Sequence, residues 1–177
     1  LGKPITTLQA IGEAQGTGTT VRFKPDTSIF PEIIFHWDIL ATRLRELAFL
    51  NKGIEIMLRD ERETAPEAPK QEVFRYEGGI KEFIAYVDKN KMPLHEVIYL
   101  EKEKNGVVVE VALRYNSGYQ ENVFSFVNNI NTIEGGTHLS GFKTALTRVL
   151  NNAAKSLFNG KEDLKLTGED VKEGLTA

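Results

Sequence analysis

The sequence predicts an α+β fold, an antiparallel-rich sheet with helices on one face, and three observations carry that expectation. Apolar residues recur at helical spacing at Leu139, Phe142, Leu146, Val149, Leu150 and Ala153, and again at Leu40, Ala41, Leu44, Leu47 and Ala48. Asn105-Gly106 separates two runs rich in Val, Ile and Tyr, the strongest short-range signal for a hairpin closed by a type I′ turn. A second pair of short apolar runs flanks a charged loop containing two prolines. With 177 residues, 41% of them hydrophobic, one globular core is the default, with room for a small attached piece of another domain.

In chain order, residues 5–11 alternate weakly, Gly12 to Gly16 turn the chain, and residues 17–23 read as a second strand. A hairpin is expected there, ended by Lys24-Pro25-Asp26 because proline cannot donate to a ladder. A helix follows over about residues 38–50, with Asp38 as N-cap and Gly53 just past its end. Arg43, Arg45 and Glu46 stand off its apolar face, where charges read as a solvated surface, phosphate contact being the alternative. Residues 54–59 and 73–76 form a second hairpin around the loop at 63–70. Gly78-Gly79 then introduces a helix to about residue 89, striped by Ile80, Phe83, Ile84 and Val87. The glycine pair reads as a turn, since it lacks the glycine-rich run, the Lys and the Ser/Thr of a phosphate loop.

Residues 97–103 and 107–115 make the Asn-Gly hairpin. Val109, Val111, Leu113 and Tyr115 share one face and Glu110, Ala112 and Arg114 the other, which predicts one covered and one partly wet side. Residues 121–127 read as a third antiparallel strand. After the polar Asn128-Asn129-Ile130-Asn131 segment, Gly135-Gly136 allows a sharp turn, and Thr137 is placed as N-cap of a helix ending near Asn159-Gly160. Thr167-Gly168-Glu169-Asp170 has capping-box spacing with Asp at its fourth position, and a short helix or turn is expected from there toward Leu175.

The chemistry is sparse. The absence of cysteine excludes disulfides and thiol-based metal or nucleophile chemistry. No apolar run reaches the roughly 18 residues of a membrane span, and the start, Leu1-Gly2-Lys3-Pro4, has no signal pattern, so no membrane partner is expected and the chain reads as part of a longer, cytoplasmic protein. His36, His95 and His138 are isolated, no metal site is expected, and His138 reads as a structural residue of a first helical turn. No serine or carboxylate lies in a nucleophile context, so no catalytic residue is nominated. The formal net charge of −3 argues against a surface that coats nucleic acid. A local basic patch can still act, since screening is effective beyond about 10 Å at 0.1 M salt. One stretch qualifies: no acid occurs between Gly135 and Lys161, whereas Lys143, Arg148, Lys155 and Lys161 all do. Lys143, Thr147, Asn151 and Lys155 are spaced by four and fall on one side of the helix, with Arg148 and Asn152 adjacent. They read either as a solvated face, Lys155 and Lys161 answering the helix dipole, or as a phosphate-facing surface.

Several runs also carry a resemblance. They are Arg43-Leu44-Arg45-Glu46-Leu47-Ala48-Phe49-Leu50-Asn51, Tyr76-Glu77-Gly78-Gly79-Ile80, Val109-Glu110-Val111-Ala112-Leu113, Asn128-Asn129-Ile130-Asn131-Thr132, Glu134-Gly135-Gly136-Thr137-His138-Leu139, Gly141-Phe142, Thr147-Arg148 and the closing Gly168 to Ala177. Together they resemble the second, or transducer, domain of the DNA gyrase B family, shared with the related topoisomerase IV protein. The resemblance covers essentially the whole chain in order. It implies a ribosomal protein S5 domain 2-like fold with a left-handed βαβ crossover over residues 27–177, stopping before the family's Gln-Thr-Lys loop. It also implies that residues 1–26 are the last hairpin of the ATP-binding domain of the gyrase, Hsp90, histidine kinase and MutL superfamily.

The function it implies is that of an ATP-dependent type II DNA topoisomerase, coupling ATP binding and hydrolysis to strand passage and supercoiling. ATP and Mg²⁺ would belong to the parent enzyme and not to this fragment, which is expected to be inactive alone. Implied partners are DNA, the DNA gyrase A-subunit in a heterotetramer, and a second copy through ATP-dependent homodimerisation. Thr19 matches the threonine that reaches the adenine end of the nucleotide through water. Lys143, Arg148 and Lys155 would face the DNA segment. Two alternatives remain open: a transducer-like binding module of a topoisomerase IV, MutL or Hsp90 relative, and a small kinase of related fold, for which no phosphate loop is found.

Overall fold

The computed structural model describes residues 3–62, 69–157 and 165–177. The chain divides into two units, Leu1–Phe35 and His36–Ala177. In the first unit the expected hairpin of residues 5–11 and 17–23 does not form; no described residue there pairs in a strand. Ile5, Leu8 and Ile11 stand exposed, and a two-stranded ribbon with no covered face is marginal in water, which is why turn chemistry alone does not decide it. The ordered feature of this unit is a turn in which Ser28 donates through its backbone N–H (2.9 Å) and its hydroxyl (2.7 Å) to Asp26 Oδ1.

The second unit opens with helix α1, Trp37–Leu50. His36, not Asp38, holds the N-cap position, and Asp38 sits within the first turn, where a carboxylate favours the positive end of the dipole. Asn51 ends the helix by donating both its backbone N–H (3.1 Å) and its Nδ2 (2.7 Å) to the Leu47 carbonyl. Gly53, at φ +79°, turns the chain into β1. Strands β1, Glu55–Asp60, and β2, Lys70–Arg75, pair antiparallel from Glu55 opposite Arg75 to Asp60 opposite Lys70. Most of the proline loop expected at 63–70 lies outside the described residues. Ala41 and Ala48 of α1 close on Phe74 of β2, flanked by Trp37, Leu44, Ile56, Leu58 and Tyr76. Small residues at 41 and 48 let the helix approach the sheet, and burying an aromatic such as Phe74 contributes about 1.5–3 kcal/mol.

Helix α2, Ile80–Val87, follows Gly79, whose φ is +60°. The Lys52 stem occupies the place a Cβ at Gly79 would take, so the glycine pair serves close packing and a turn, as the sequence predicts. Phe49 links α1 to α2: it stacks on Tyr76 at 3.6 Å and meets Phe83 at 5.3 Å between centroids.

Strands β3, Ile98–Lys104, and β4, Val107–Tyr115, pair so that Lys104 faces Val107. Asn105 (φ 53°) and Gly106 (φ 76°) are left as a two-residue turn with both φ positive, the type I′ geometry predicted. Burial does not divide by face as expected. Ala112 and Leu113, on opposite faces, are both buried, while Val107, Val108 and Val109 are all exposed, so the strand passes from a covered base to a free tip.

The third strand of this sheet is not residues 121–127. It is β7, Leu175–Thr176, with Tyr115 opposite Leu175 and Arg114 opposite Thr176. Residues 122–124 run parallel to its other edge: Asn122 N donates to Leu175 O (2.8 Å), Ala177 N to Asn122 O (3.0 Å) and Phe124 N to Ala177 O (2.9 Å). A two-residue strand has no periodicity to read, so its long-range pairing leaves no mark on the sequence. Phe126–Val127 (β5) and Ile130–Asn131 (β6) form a separate small hairpin.

Helix α3, Thr137–Leu157, and helix α4, Gly168–Lys172, carry the chain back to β7. Thr137 is the first helical residue and not the cap, and the expected helix end at Asn159-Gly160 lies outside the described residues. No described residue of α3 is fully buried. Only the start of its apolar stripe, Leu139 and Phe142, lines a cleft of about 540 Å³ shared with Phe83, Phe124 and Val109.

Candidate functional site

The runs that carry the resemblance fall on α1, the turn into α2, β4, the β5–β6 hairpin, α3, α4 and β7. Asn128 and Asn129 occupy the turn between β5 and β6 with φ of 49° and 66°, a conformation asparagine tolerates better than other side chains. The turn docks on α1: Arg43 Nη2 donates to Asn129 O at 3.0 Å, and Asn129 Nδ2 donates to Asn51 Oδ1 at 2.9 Å. Arg43 also pairs with Glu46 at 2.7 Å, and Arg45 reaches Glu72 at 2.6 Å while lying over Phe74 and Tyr86. The arginines of α1 are therefore joints between elements, neither a solvated face nor free phosphate ligands. Ser125 and Thr132 stitch the small hairpin together (Oγ to Oγ1, 2.6 Å), and His138 Nε2 lies 3.2 Å from Thr132 Oγ1, tying the first turn of α3 to it. His138 has the structural place the sequence predicts.

The polar side of α3 splits in two. Lys143 Nζ is 2.6 Å from Glu121 Oε1, and Lys172 of α4 approaches the other oxygen of the same carboxylate at 3.5 Å. Burial pushes the Glu121 carboxyl up, but the Lys143 hydrogen bond and the two cations hold it below its usual value. Asn151 clamps the segment before α4, its Oδ1 accepting from Leu166 N (2.8 Å) and its Nδ2 donating to Leu166 O (2.9 Å). Lys143, Thr147 and Asn151 thus form the seam with α4, and Lys143 is not a free cation. The four-residue spacing marks a shared face correctly, but the segments that cover it, Glu121 and α4, are remote in sequence and leave no local signal. Arg148 and Lys155 are exposed, and no carboxylate among the described residues pairs with either. Lys161 lies outside the described residues. Thr19 is exposed and belongs to no helix or strand.

A further cluster has no counterpart in the sequence analysis. Asp88, the residue capping the C-terminus of α2, is 1% exposed, and Asn116 and Thr176 beside it are 4% and 0% exposed. Thr176 Oγ1 donates to Asp88 Oδ1 at 2.7 Å and accepts from Asn116 Nδ2 at 3.3 Å. Arg114 Nε reaches Asp88 Oδ2 at 3.3 Å, and Lys91 Nζ lies 3.1 Å from Oδ1 as an ion pair without a hydrogen bond of its own. Burial raises the Asp88 pKa, and the Thr176 hydroxyl with the two cations outweighs it, leaving the carboxyl below its ordinary value. The only hint in the sequence is an acid at a helix C-terminus, where the dipole disfavours it unless cations answer.

The fold matches part of solved structures of bacterial gyrase B-subunits. The B-subunit of the DNA gyrase from Myxococcus xanthus superposes with a TM-score of 0.71 at 24% identity, over 86% of this chain and 41% of that one. The 43K ATPase domain of Thermus thermophilus gyrase B, crystallised with an aminocoumarin, gives 0.69 at 34% identity with the same coverages. The family model for DNA gyrase B matches residues 79–177, and the chain belongs to that family. The DNA gyrase B-subunit of Clostridium acetobutylicum is 53% identical over 99% of this chain and 27% of its own length. The protein of the same name from Bacillus mycoides is 51% identical, over 99% of this chain and 43% of that one. The chain thus spans between about a quarter and two-fifths of the relatives it matches.

Proposed function

We propose that this chain is the transducer module of an ATP-dependent type II DNA topoisomerase, coupling ATP binding and hydrolysis to DNA strand passage and supercoiling. On this reading residues 1–26 belong to the end of the ATP-binding domain and residues 27–177 to the transducer. The observation that carries it is the 53% identity sustained over 99% of the chain. The division of the chain after Phe35 supports a domain boundary in this region. DNA, a gyrase A-subunit in a heterotetramer and a second copy joined in response to ATP are the partners, in a cytoplasmic enzyme.

No site for ATP or Mg²⁺ is assigned to the described residues. Thr19 is a single exposed hydroxyl, and among the described residues no group of three or more His, Asp or Glu could hold a metal ion. The role proposed for this chain is mechanical. Its construction suits that role, since α3 and α4 are joined through Asn151 and through Glu121, which Lys143 and Lys172 share, and Tyr115 of β4 bonds to α4. The DNA-facing groups are Arg148 and Lys155, two turns apart on α3, with Lys143 contributing only if released from Glu121. Strand passage needs sequence-blind contacts, which phosphate attraction provides. The test is ATP turnover of the full-length protein in its gyrase assembly, with and without DNA. DNA stimulation of turnover supports the reading, and its absence in the wild-type assembly would remove it.

A further inference from the structure

We propose that Asp88 is a positioning residue that fixes the register of β7 between β4 and residues 122–124, and thereby sets the coupling of α3 and α4 to α2. The inference rests on the transducer reading and adds a named joint to it.

Three features make Asp88 an expensive choice for stability alone. Its carboxylate is buried, it sits at the C-terminus of α2, where an anion opposes the dipole, and it draws the Lys91 ammonium out of water. Buried ion clusters are weak evidence of stabilisation, because well-packed apolar groups of the same volume often do as well; their best-attested use is to specify register. Strand β7 is the element that needs such a device. It is two residues long, and it must pair antiparallel on one edge and parallel on the other. A slip of one residue would swing the Thr176 hydroxyl to the opposite face and bring Leu175 against Asp88, Asn116 and Arg114. Only one register lets Oγ1 donate to Asp88 while accepting from Asn116.

The position of β7 is felt on both sides. Before it, Gly174 stands at φ +69° with the carbonyls of Asn116 and Gly118 so close that a Cβ would lie 2.5 and 2.7 Å from them. Two residues earlier is Lys172, bound through Glu121 to Lys143 of α3, and the Tyr115 hydroxyl donates to Val171 O at 2.7 Å. Beyond Asp88 lies α2, whose Phe83 meets Phe49 of α1. Thr176 and Asp88 thus lie on a hydrogen-bonded route from α4 and β7 to α2.

The experiment uses the full-length protein in its gyrase assembly, comparing Asp88→Ala, Thr176→Val, Thr176→Ser and the Asp88→Ala/Thr176→Val double variant. ATP turnover and the KM for ATP are measured with and without DNA, beside a thermal melt. Asp88→Ala and Thr176→Val are expected to lower the DNA stimulation of turnover by roughly 3- to 10-fold, the range for residues that modulate coupling, with basal turnover and KM within about twofold. Thr176→Ser, which keeps the hydroxyl, should retain the stimulation, and the double variant should be no worse than the worse single one. Unchanged stimulation in both single variants, or a serine variant as impaired as the valine one, would overturn the proposal. Should Asp88→Ala not fold, the near-isosteric Thr176→Val carries the test, and its failure to fold as well would show that the cluster supports the fold and does not position β7. A wild-type assembly without DNA stimulation would remove the transducer reading itself, an outcome decided by the control and not by the variants.

Discussion

Asp88 and Gly174 show how much of this molecule is decided by single residues with no periodic signature. The folded-state pKa of Asp88 lies below the ordinary carboxylate value of about 3.9, so its contribution to stability is fully present above that pH and is lost as the pH falls through the folded value. Glu121 is shifted in the same direction and adds to the same acid limb. Denaturant melts from neutral pH downward should therefore give a nearly constant midpoint to about pH 4 and a falling one below it. Asp88→Asn should flatten that limb; a limb of unchanged steepness would mean that other carboxylates control acid unfolding. At Gly174 the expectation is steric. Gly174→Ala puts a methyl against two backbone carbonyls at a left-handed φ, and should destabilise by more than about 1–3 kcal/mol in a urea melt, strain and overpacking adding.

Among the elements, α1 holds the unit together by touching three others. Phe49, 1% exposed, stacks on Tyr76 and meets Phe83, so Phe49→Ala should cost about 3–5 kcal/mol, measured as a shift in chemical denaturation midpoint at constant slope. A loss below about 1 kcal/mol would show that α2 collapses into the space. Helices α1, α2 and α3 and two hairpins are legible in the sequence because each has a period or a turn pair of its own: the Leu139 to Ala153 stripe, and Asn105-Gly106 with both φ positive. What is not legible depends on partners distant in sequence. Residues 121–127 look like an antiparallel strand but split into a parallel ladder with 175–177 and half of a small hairpin. Residues 5–11 and 17–23 have turn chemistry but no strand pairing. Of the candidate site, charge pattern alone picks out Arg148 and Lys155. It also picks out Lys143 but does not foresee its ion pair with Glu121, because nothing local places Glu121 opposite it, and it passes over Asp88.

For the molecule as a whole, the chain should bind ATP too weakly to measure on its own. Thr19 offers one hydrogen bond worth about 0.5–1.5 kcal/mol, whereas even millimolar affinity needs about 4 kcal/mol. Calorimetric titration with ATP should give no saturable heat, and a micromolar isotherm would reveal a phosphate site that these residues do not suggest. What the chain transmits is met most directly on α3. Arg148→Glu/Lys155→Glu changes two exposed positions, so the melting temperature should hardly move, surface changes of this kind lying within about 0.5 kcal/mol each. The decisive measurement is the DNA-stimulated ATP turnover of the full-length assembly carrying this double variant, taken across a salt series. Basal turnover should match the wild type, stimulation by DNA should fall, and the log–log salt slope of DNA binding should become shallower by about 2, as the loss of two phosphate contacts requires. Stimulation and salt slope identical to the wild type would show that α3 does not face the DNA, and would contradict the coupling role assigned to this chain.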